Sequence, residues 1–342
     1  MQVMALTQTG RVDANSTPLE LQTREIPIPQ DDMVRVRVSA CGVCHTELDE
    51  IEGRLETVRL PVVLGHEVVG VVDARGAHAT AYAEGERVGV GWFFSSCGRC
   101  EYCRSGRENL CAEFRATGCD VDGGYAEYML APQSAIYRIP DAFSNEEAAP
   151  LLCAGGVGYR SLRLAAISNG QILGLTGFGA SGHLVLQTAR TLYPESPIFV
   201  FARSAVQQQQ ARELGAAWAG HTEDAPPEAI HSIIDTTPAW APVVAALGNL
   251  RPGGRLVINA IRKQDGDKNA LLELGYHTHL WNEREVKSVA NITPADIADF
   301  LPVAASIPLR PEIETYPLTD ANQALRDLKA GNSRGARVLV MP

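Results

Sequence analysis

The stretch QILGLTGFGASGHLVLQTARTLYPESPIFVFARSAVQQQQARELGA, residues 171–216, most narrows what this chain can fold into. An apolar run (ILGLT) enters Gly177, Gly179 and Gly182, a helical pattern follows, and a second apolar run (PIFVF) closes the unit. Glycines at this spacing allow a tight turn, close approach of backbone to a pyrophosphate, and close packing of helix on strand. The following helix offers free N–H groups and a positive dipole end to the phosphates. A lone G-x-G-x-x-G says little, but strand before and helix after predict a parallel βαβ unit that binds a dinucleotide.

An acidic residue at the end of the second strand would hold the ribose 2′-hydroxyl of NAD. Here that place holds Ala202, followed by Arg203 and Ser204. No carboxylate repels a 2′-phosphate, and a guanidinium with a hydroxyl can bind one. NADP(H) is therefore expected, with NAD(H) left open and Arg203 as a solvated helix-start residue the plainer reading. SIIDTTPAW and GGRLVINAI read as later strands of the same sheet, ending at Asp235 and at Asn259 or Ala260. PVVAALGNLRPGG reads as a helix closed by Pro252 and its two glycines, and QQQQ at 207–210 as a helix surface.

The second concentrated signal is CGRCEYCRSGRENLC. Cys97, Cys100, Cys103 and Cys111 follow C-x2-C-x2-C-x7-C, with Gly98, Ser105 and Gly106 to turn the chain. Closely spaced thiolates can surround one tetrahedral zinc. An iron–sulfur cluster of the bacterial type would put its fourth cysteine earlier and follow it with proline. A closed, structural zinc site is expected.

At 342 residues the chain exceeds one ordinary core, so two domains are expected. Forty acidic against thirty basic side chains, net −10 and without a basic run, disfavour nucleic acid and anionic membrane surfaces. Runs such as LPVVLG and HLVLQTA are too short to span a bilayer, and the opening residues lack a secretory pattern. A cytoplasmic address is expected, where clustered thiols serve as metal ligands or buried groups rather than disulfides.

Three further stretches, ACGVCHTELDE, LPVVLGHEVVGVV and APLLCAGGVGYRSL, each place a cysteine or histidine beside glycine or small apolar residues. Taken singly, each is as readily a buried thiol or a core histidine. Together, and in order with the cysteine lobe and glycine turn, they resemble the zinc-dependent alcohol dehydrogenases of the medium-chain dehydrogenase/reductase family over essentially the whole chain. The resemblance implies an α/β protein with a mostly-β GroES-like catalytic domain and a Rossmann doubly wound parallel-sheet cofactor domain. Residues 1–154 would carry both zinc sites, 155–291 the dinucleotide, and 292–342 would return to the first domain.

It also implies a catalytic zinc on Cys44, His66 and Cys153, with Glu67 able to coordinate when bound water leaves. Thr46 would relay the alcohol proton, and His45 would lie near the cofactor pyrophosphate. Cys41 and Cys119 carry no metal in this reading. Three places depart from the family pattern. Asp49 stands where many relatives have a relay histidine, and Val157 where several have a threonine beside the nicotinamide. The basic pyrophosphate contact near the C-terminus falls on either Arg334 or Arg337. Trp92, with Phe93, would line an apolar pocket suited to an alcohol or aldehyde rather than a polyol. Two zinc ions per chain, a homodimer or homotetramer and alcohol–aldehyde interconversion are the expectations. A polyol dehydrogenase and a non-catalytic zinc-binding interaction protein are the alternatives.

Overall fold

The computed structural model describes residues 1–55, 59–307, 309, 311–331 and 335–342, residue 180 by its backbone alone. The chain divides into two compact units. The first comprises residues 1–153, 292–305 and 310–342, and the second 154–291 with 306–309.

The first unit is built on a mostly antiparallel sheet whose centre is β1 (Met33–Val43), flanked by β2 (Val68–Arg75), which pairs with β3 (Arg87–Val90). The other edge of β1 pairs with Ala336–Val340, so the tail returns to this sheet. Beyond it Ile313–Pro317 pairs in parallel with Ala336–Val340. In β1 the sequence MVRVRV alternates, burying Val34, Val36 and Val38 while the arginines face outward. The alternation stops at Ala40, after which Ala40 to Val43 are all buried and the strand runs into the interior. That change delivers the next residue, Cys44, to the start of α1 (His45–Ile51).

The second unit is a six-stranded parallel sheet. Its strands are β4 (Leu173–Thr176), β5 (Ile198–Phe201), β6 (Trp218–Gly220), β7 (Ile230–Asp235), β8 (Leu250–Ile258) and β9 (Glu285–Ser288), in spatial order β6-β5-β4-β7-β8-β9. The order reverses beside β4, which defines the switch point of a doubly wound sheet. Every residue of β4 and β5 is buried, as strands covered on both faces require. Each large apolar side chain buried there contributes about 1.5–3 kcal/mol relative to exposure. Helices α2 (Ala154–Ala165), α3 (Ala180–Leu192), α4 (Ala205–Glu213) and α5 (Ala241–Asn249) alternate with the strands.

Two local expectations are corrected. Helix α5 ends at Asn249, and Pro252, Gly253 and Gly254 belong to β8. The ladder with β7 jumps from Leu250 to Arg255, so the proline, which has no N–H to offer, sits in the unpaired bulge. Gln208 does not lie on the helix surface. It is buried, and its Nε2 donates to the Ala202 carbonyl at 2.8 Å, tying α4 to the end of β5.

Candidate active site

Cys44, His66, Glu67 and Cys153 come from three distant stretches, all within the first unit, and their ligand atoms lie within 4.8 Å of one another. Cys44 occupies the extended residue ahead of α1. His66 follows Gly65, whose φ of +98° lies in the left-handed region. A Cβ there would come 2.4 Å from the Tyr125 ring and 2.8 Å from Cys41 Sγ, so only glycine turns the chain here. Gly42 is equally constrained, since a Cβ would fall 1.8 Å from Glu67 Oε2. The glycine of CGVC thus makes room for the carboxylate of GHE. Cys153 ends the 3₁₀ turn Ala149–Leu152 and is 8% exposed.

Glu47, which sequence reasoning did not single out, braces this group. It is fully buried in α1, with Oε2 accepting from the Cys44 N–H at 2.8 Å and Oε1 lying 2.7 Å from His66 Nδ1. The imidazole thus has the Glu47 carboxylate beside Nδ1, although neither buried ring nitrogen makes a well-aligned hydrogen bond among the described residues. A carboxylate beside one nitrogen is how a metal-ligating histidine is commonly oriented. A readable signal existed, since an acid three residues after Cys44 falls at the third helical position, where it can reach back to the capping backbone.

The thiols share their protons unequally. Cys44 is held well below the ordinary thiol range by the hydrogen bond from Cys153, with His66 assisting against burial. Cys153 is pushed well above that range by the same contact and by burial. Burial works to neutralise His66, but the Glu47 carboxylate and the Cys44 sulfur outweigh it and raise its pKa. Burial, and then the charge on Cys44, raises Glu67. A cation binding here would displace these protons, because metal ligands must be deprotonated. Two thiols, an imidazole and a carboxylate at this spacing match the donor types that zinc accepts.

In the lobe, Cys97, Cys100, Cys103 and Cys111 also bring their sulfurs within 4.8 Å of one another. Cys97 and Cys103 stand 3.8 Å apart, and Cys100 and Cys103 3.5 Å. A tetrahedron with zinc–sulfur bonds of 2.3 Å has edges of about 3.8 Å. Backbone N–H groups point at the sulfurs, from Cys100 to Cys97 at 3.3 Å and from Glu113 to Cys111 at 3.3 Å. Such donors bring Cys97 down to about 6, the Arg99 and Cys100 amides acting most strongly. Gly98 and Gly106, both at φ +67°, supply the turns.

Thr46 is buried with Oγ1 3.6 Å from Cys44 Sγ, and His45 is exposed at the start of α1. Asp49 is ion-paired with Arg54, whose Nε lies 2.5 Å from Oδ1. Trp92 stands edge-on to His66, ring centroids 4.9 Å apart, whereas Phe93 packs against Phe114 on the lobe side. In the second unit Gly177 has φ +85° and Gly182 admits no side chain, since a Cβ would meet Gly177 O at 2.8 Å. Gly179, ahead of α3, has open space where its Cβ would be. Arg203 and Ser204 are exposed beyond β5, and Val157 packs against the second unit's core. Arg337 is buried and donates to the Asp327 carbonyl at 2.7 Å, while Arg334 lies outside the described residues.

Residues 30–141 match the family model of the alcohol dehydrogenase GroES-like domain. The chain is 42% identical over 329 residues to a probable alcohol dehydrogenase, AdhA, of Mycobacterium tuberculosis, covering 95% of this chain and 93% of that one. It is 33% identical over 319 residues to a mannitol dehydrogenase of Petroselinum crispum, covering 89% and 92%. Among solved structures, a cinnamyl alcohol dehydrogenase from Sorghum bicolor superimposes with a TM-score of 0.81 at 27% identity, over 99% of this chain and 97% of that one. With a GroES-like first unit, a parallel-sheet second unit and relatives matched along almost its full length, the chain belongs to the zinc-type medium-chain alcohol dehydrogenases and is an oxidoreductase of that family.

Proposed function

We propose that the chain interconverts primary, or apolar and aromatic, alcohols and aldehydes with NADP(H) or NAD(H), using a catalytic zinc held by Cys44, His66 and Cys153 and a nucleotide held by the second unit. The observation that carries this reading is the convergence of two thiols on a buried imidazole whose Nδ1 has the Glu47 carboxylate beside it. When bound, zinc supplies Lewis acidity and the nicotinamide accepts or donates hydride. The protein residues do the rest. Glu67 is the reserve ligand, kept close by Gly42. Thr46 accepts the alcohol proton beside Cys44 and passes it towards Asp49, on the next turn of α1, whose carboxylate Arg54 fixes. Trp92 walls the substrate side of His66. Cys97, Cys100, Cys103 and Cys111 hold a second, structural zinc.

For the nucleotide, Gly177, Gly179 and Gly182 form the pyrophosphate turn, with Arg203 and Ser204 selecting NADP(H) over NAD(H) and His45, by the family resemblance, a further cofactor-binding residue. The apolar-substrate reading rests on the Trp92 indole against the ligand set, and on the cinnamyl alcohol named for the sorghum protein. A polyol substrate is the second reading, favoured by the mannitol named for the parsley relative. A homodimer or homotetramer is supported by the exposed edge strand β9 with Tyr276 and Trp281 exposed nearby. A cytoplasmic setting accompanies this reading; among the described residues no helix is long and apolar enough to cross a membrane.

The test is elemental analysis together with a panel of aromatic alcohols, aliphatic alcohols and polyols run with both nucleotides. Two zinc ions per chain and turnover best with cinnamyl-type substrates and NADPH are expected. A metal-replete protein inert across the panel would return the chain to a binding role. Arg203→Asp should move the NADPH/NADH preference by about tenfold towards NADH, since it replaces a phosphate-pairing cation with an anion. An unchanged ratio removes Arg203 from the cofactor site.

A further inference from the structure

Beyond the end of β8, Lys263 is buried in the second unit with its side chain 8% exposed. Its ammonium has three N–H donors and meets three acceptors, namely Asp235 Oδ2, the Thr237 carbonyl at 2.7 Å and the Ala239 carbonyl at 3.0 Å. Asp235 ends β7 and is fully buried, and its other oxygen accepts from the Thr237 hydroxyl at 2.8 Å. Two backbone bonds join the same segments, Asn259 N–H to Asp235 O and Gln264 N–H to Pro238 O, each 2.7 Å. The segment after β7 is in turn fastened to the glycine turn. Thr236 donates to the Thr176 carbonyl through N–H at 2.8 Å and through Oγ1 at 3.1 Å. A Cβ on Gly177 would meet Thr236 Oγ1 at 2.7 Å, so the two turns are in direct contact.

These three segments follow β4, β7 and β8, which are neighbours in the sheet. They stand at the carboxyl ends of parallel strands, where open α/β sheets bind their ligands. A buried ion pair is a poor source of stability, because removing both charges from water offsets most of their attraction. A pair kept in this place is better understood as fixing geometry. We propose that Lys263 is a positioning residue for the nucleotide: by tying the segment after β7 to the one after β8, it holds the glycine turn in its binding shape before the nucleotide arrives. This rests on the reading that the second unit binds NADP(H) or NAD(H).

The experiment titrates intrinsic tryptophan fluorescence with NADPH and NADH in the wild-type protein, Lys263→Met, Asp235→Asn and the double variant, with thermal unfolding and steady-state kinetics alongside. Methionine keeps the length of the lysine stem and removes its charge. Lys263→Met should weaken nucleotide binding about tenfold or more, the order expected when preorganisation is lost. The KM for the nucleotide should rise with it, and kcat at saturation should stay within about twofold. The double variant should regain the melting temperature lost by Lys263→Met without regaining affinity. A Lys263→Met protein that melts lower but binds as tightly as wild type overturns the proposal and leaves the cofactor reading standing. A wild-type protein that binds neither nucleotide overturns both. Should Lys263→Met fail to fold, hydrogen exchange on the nucleotide-free wild type decides. Protection of the Thr236, Thr237, Asn259 and Gln264 amides comparable with β4 supports preorganisation, and rapid exchange at all four sinks it.

Discussion

The two cysteine-rich groups use related donors in opposite ways. In the lobe, four thiols come from one stretch of chain, and three of them, Cys97, Cys100 and Cys103, are only half-buried. Their sulfurs are held by nearby backbone N–H groups and by two left-handed glycines. The second group draws Cys44, His66 and Cys153 from remote positions into a buried cluster, in which Glu47 contacts both Cys44 and His66 and Gly65 turns the chain into His66. The lobe can form around an ion because its geometry is local. The dispersed group exists only once a sheet, a helix and a 3₁₀ turn have met. A site assembled by tertiary structure can keep one coordination position for substrate, whereas four protein thiolates fill the shell.

Substitutions at each place sharpen this contrast. Cys44→Ser should lower kcat by roughly a thousandfold or more while leaving thermal stability near wild type, because it removes a ligand of the zinc proposed to stabilise the alkoxide. Turnover within tenfold of wild type would erase the distinction between the two groups. Cys103→Ser should do the reverse. It should release one zinc per chain and cost at least roughly 3 kcal/mol of stability, since a closed metal site contributes folding energy directly. The kcat of the fraction still folded at low temperature should change little. Equal stability by chemical denaturation would show the lobe to be dispensable. The smallest effect is expected for Glu47→Gln, which keeps shape and removes the carboxylate beside His66. Metal affinity at the dispersed group should fall about 10–100-fold, with the lobe's zinc retained under chelator competition. Parallel loss from both groups would mean that Glu47 supports the fold rather than the imidazole.

The lobe was legible because its whole geometry lies within one short run of sequence. The parallel sheet was legible for a similar reason, since the glycine turn sits between an apolar strand and a helix. The dispersed group emerged only from several motifs taken together, and its supports were harder to see. Gly65 and Gly42 look like ordinary turn and strand glycines until Tyr125 and Glu67 are placed against them. Lys263 carries no local signal at all, because its partners at Asp235, Thr237 and Ala239 are assembled by the sheet. Two local readings failed for identifiable reasons. The Pro-Gly-Gly run has turn chemistry, but the parallel pairing of β8 with β7 absorbs it as a bulge. The run of four glutamines is uniform in text, yet helical periodicity turns Gln208 inward, where Ala202 offers an acceptor.

The central strand of the first sheet completes its pairing with residues from the far end of the chain. Met33–Val43 has β2 on one side; on the other, Tyr128–Pro132 pairs with Met33–Arg37, and Ala336–Val340 closes the stretch before Cys44, setting Val338 against Gly42 and Leu339 against Cys41. During synthesis, therefore, the backbone leading into Cys44 emerges early and waits with a bare edge until the whole second unit has left the ribosome. The contiguous thiols of residues 97–111 are under no such delay, so the lobe's sulfurs can come together well before the dispersed group has a floor.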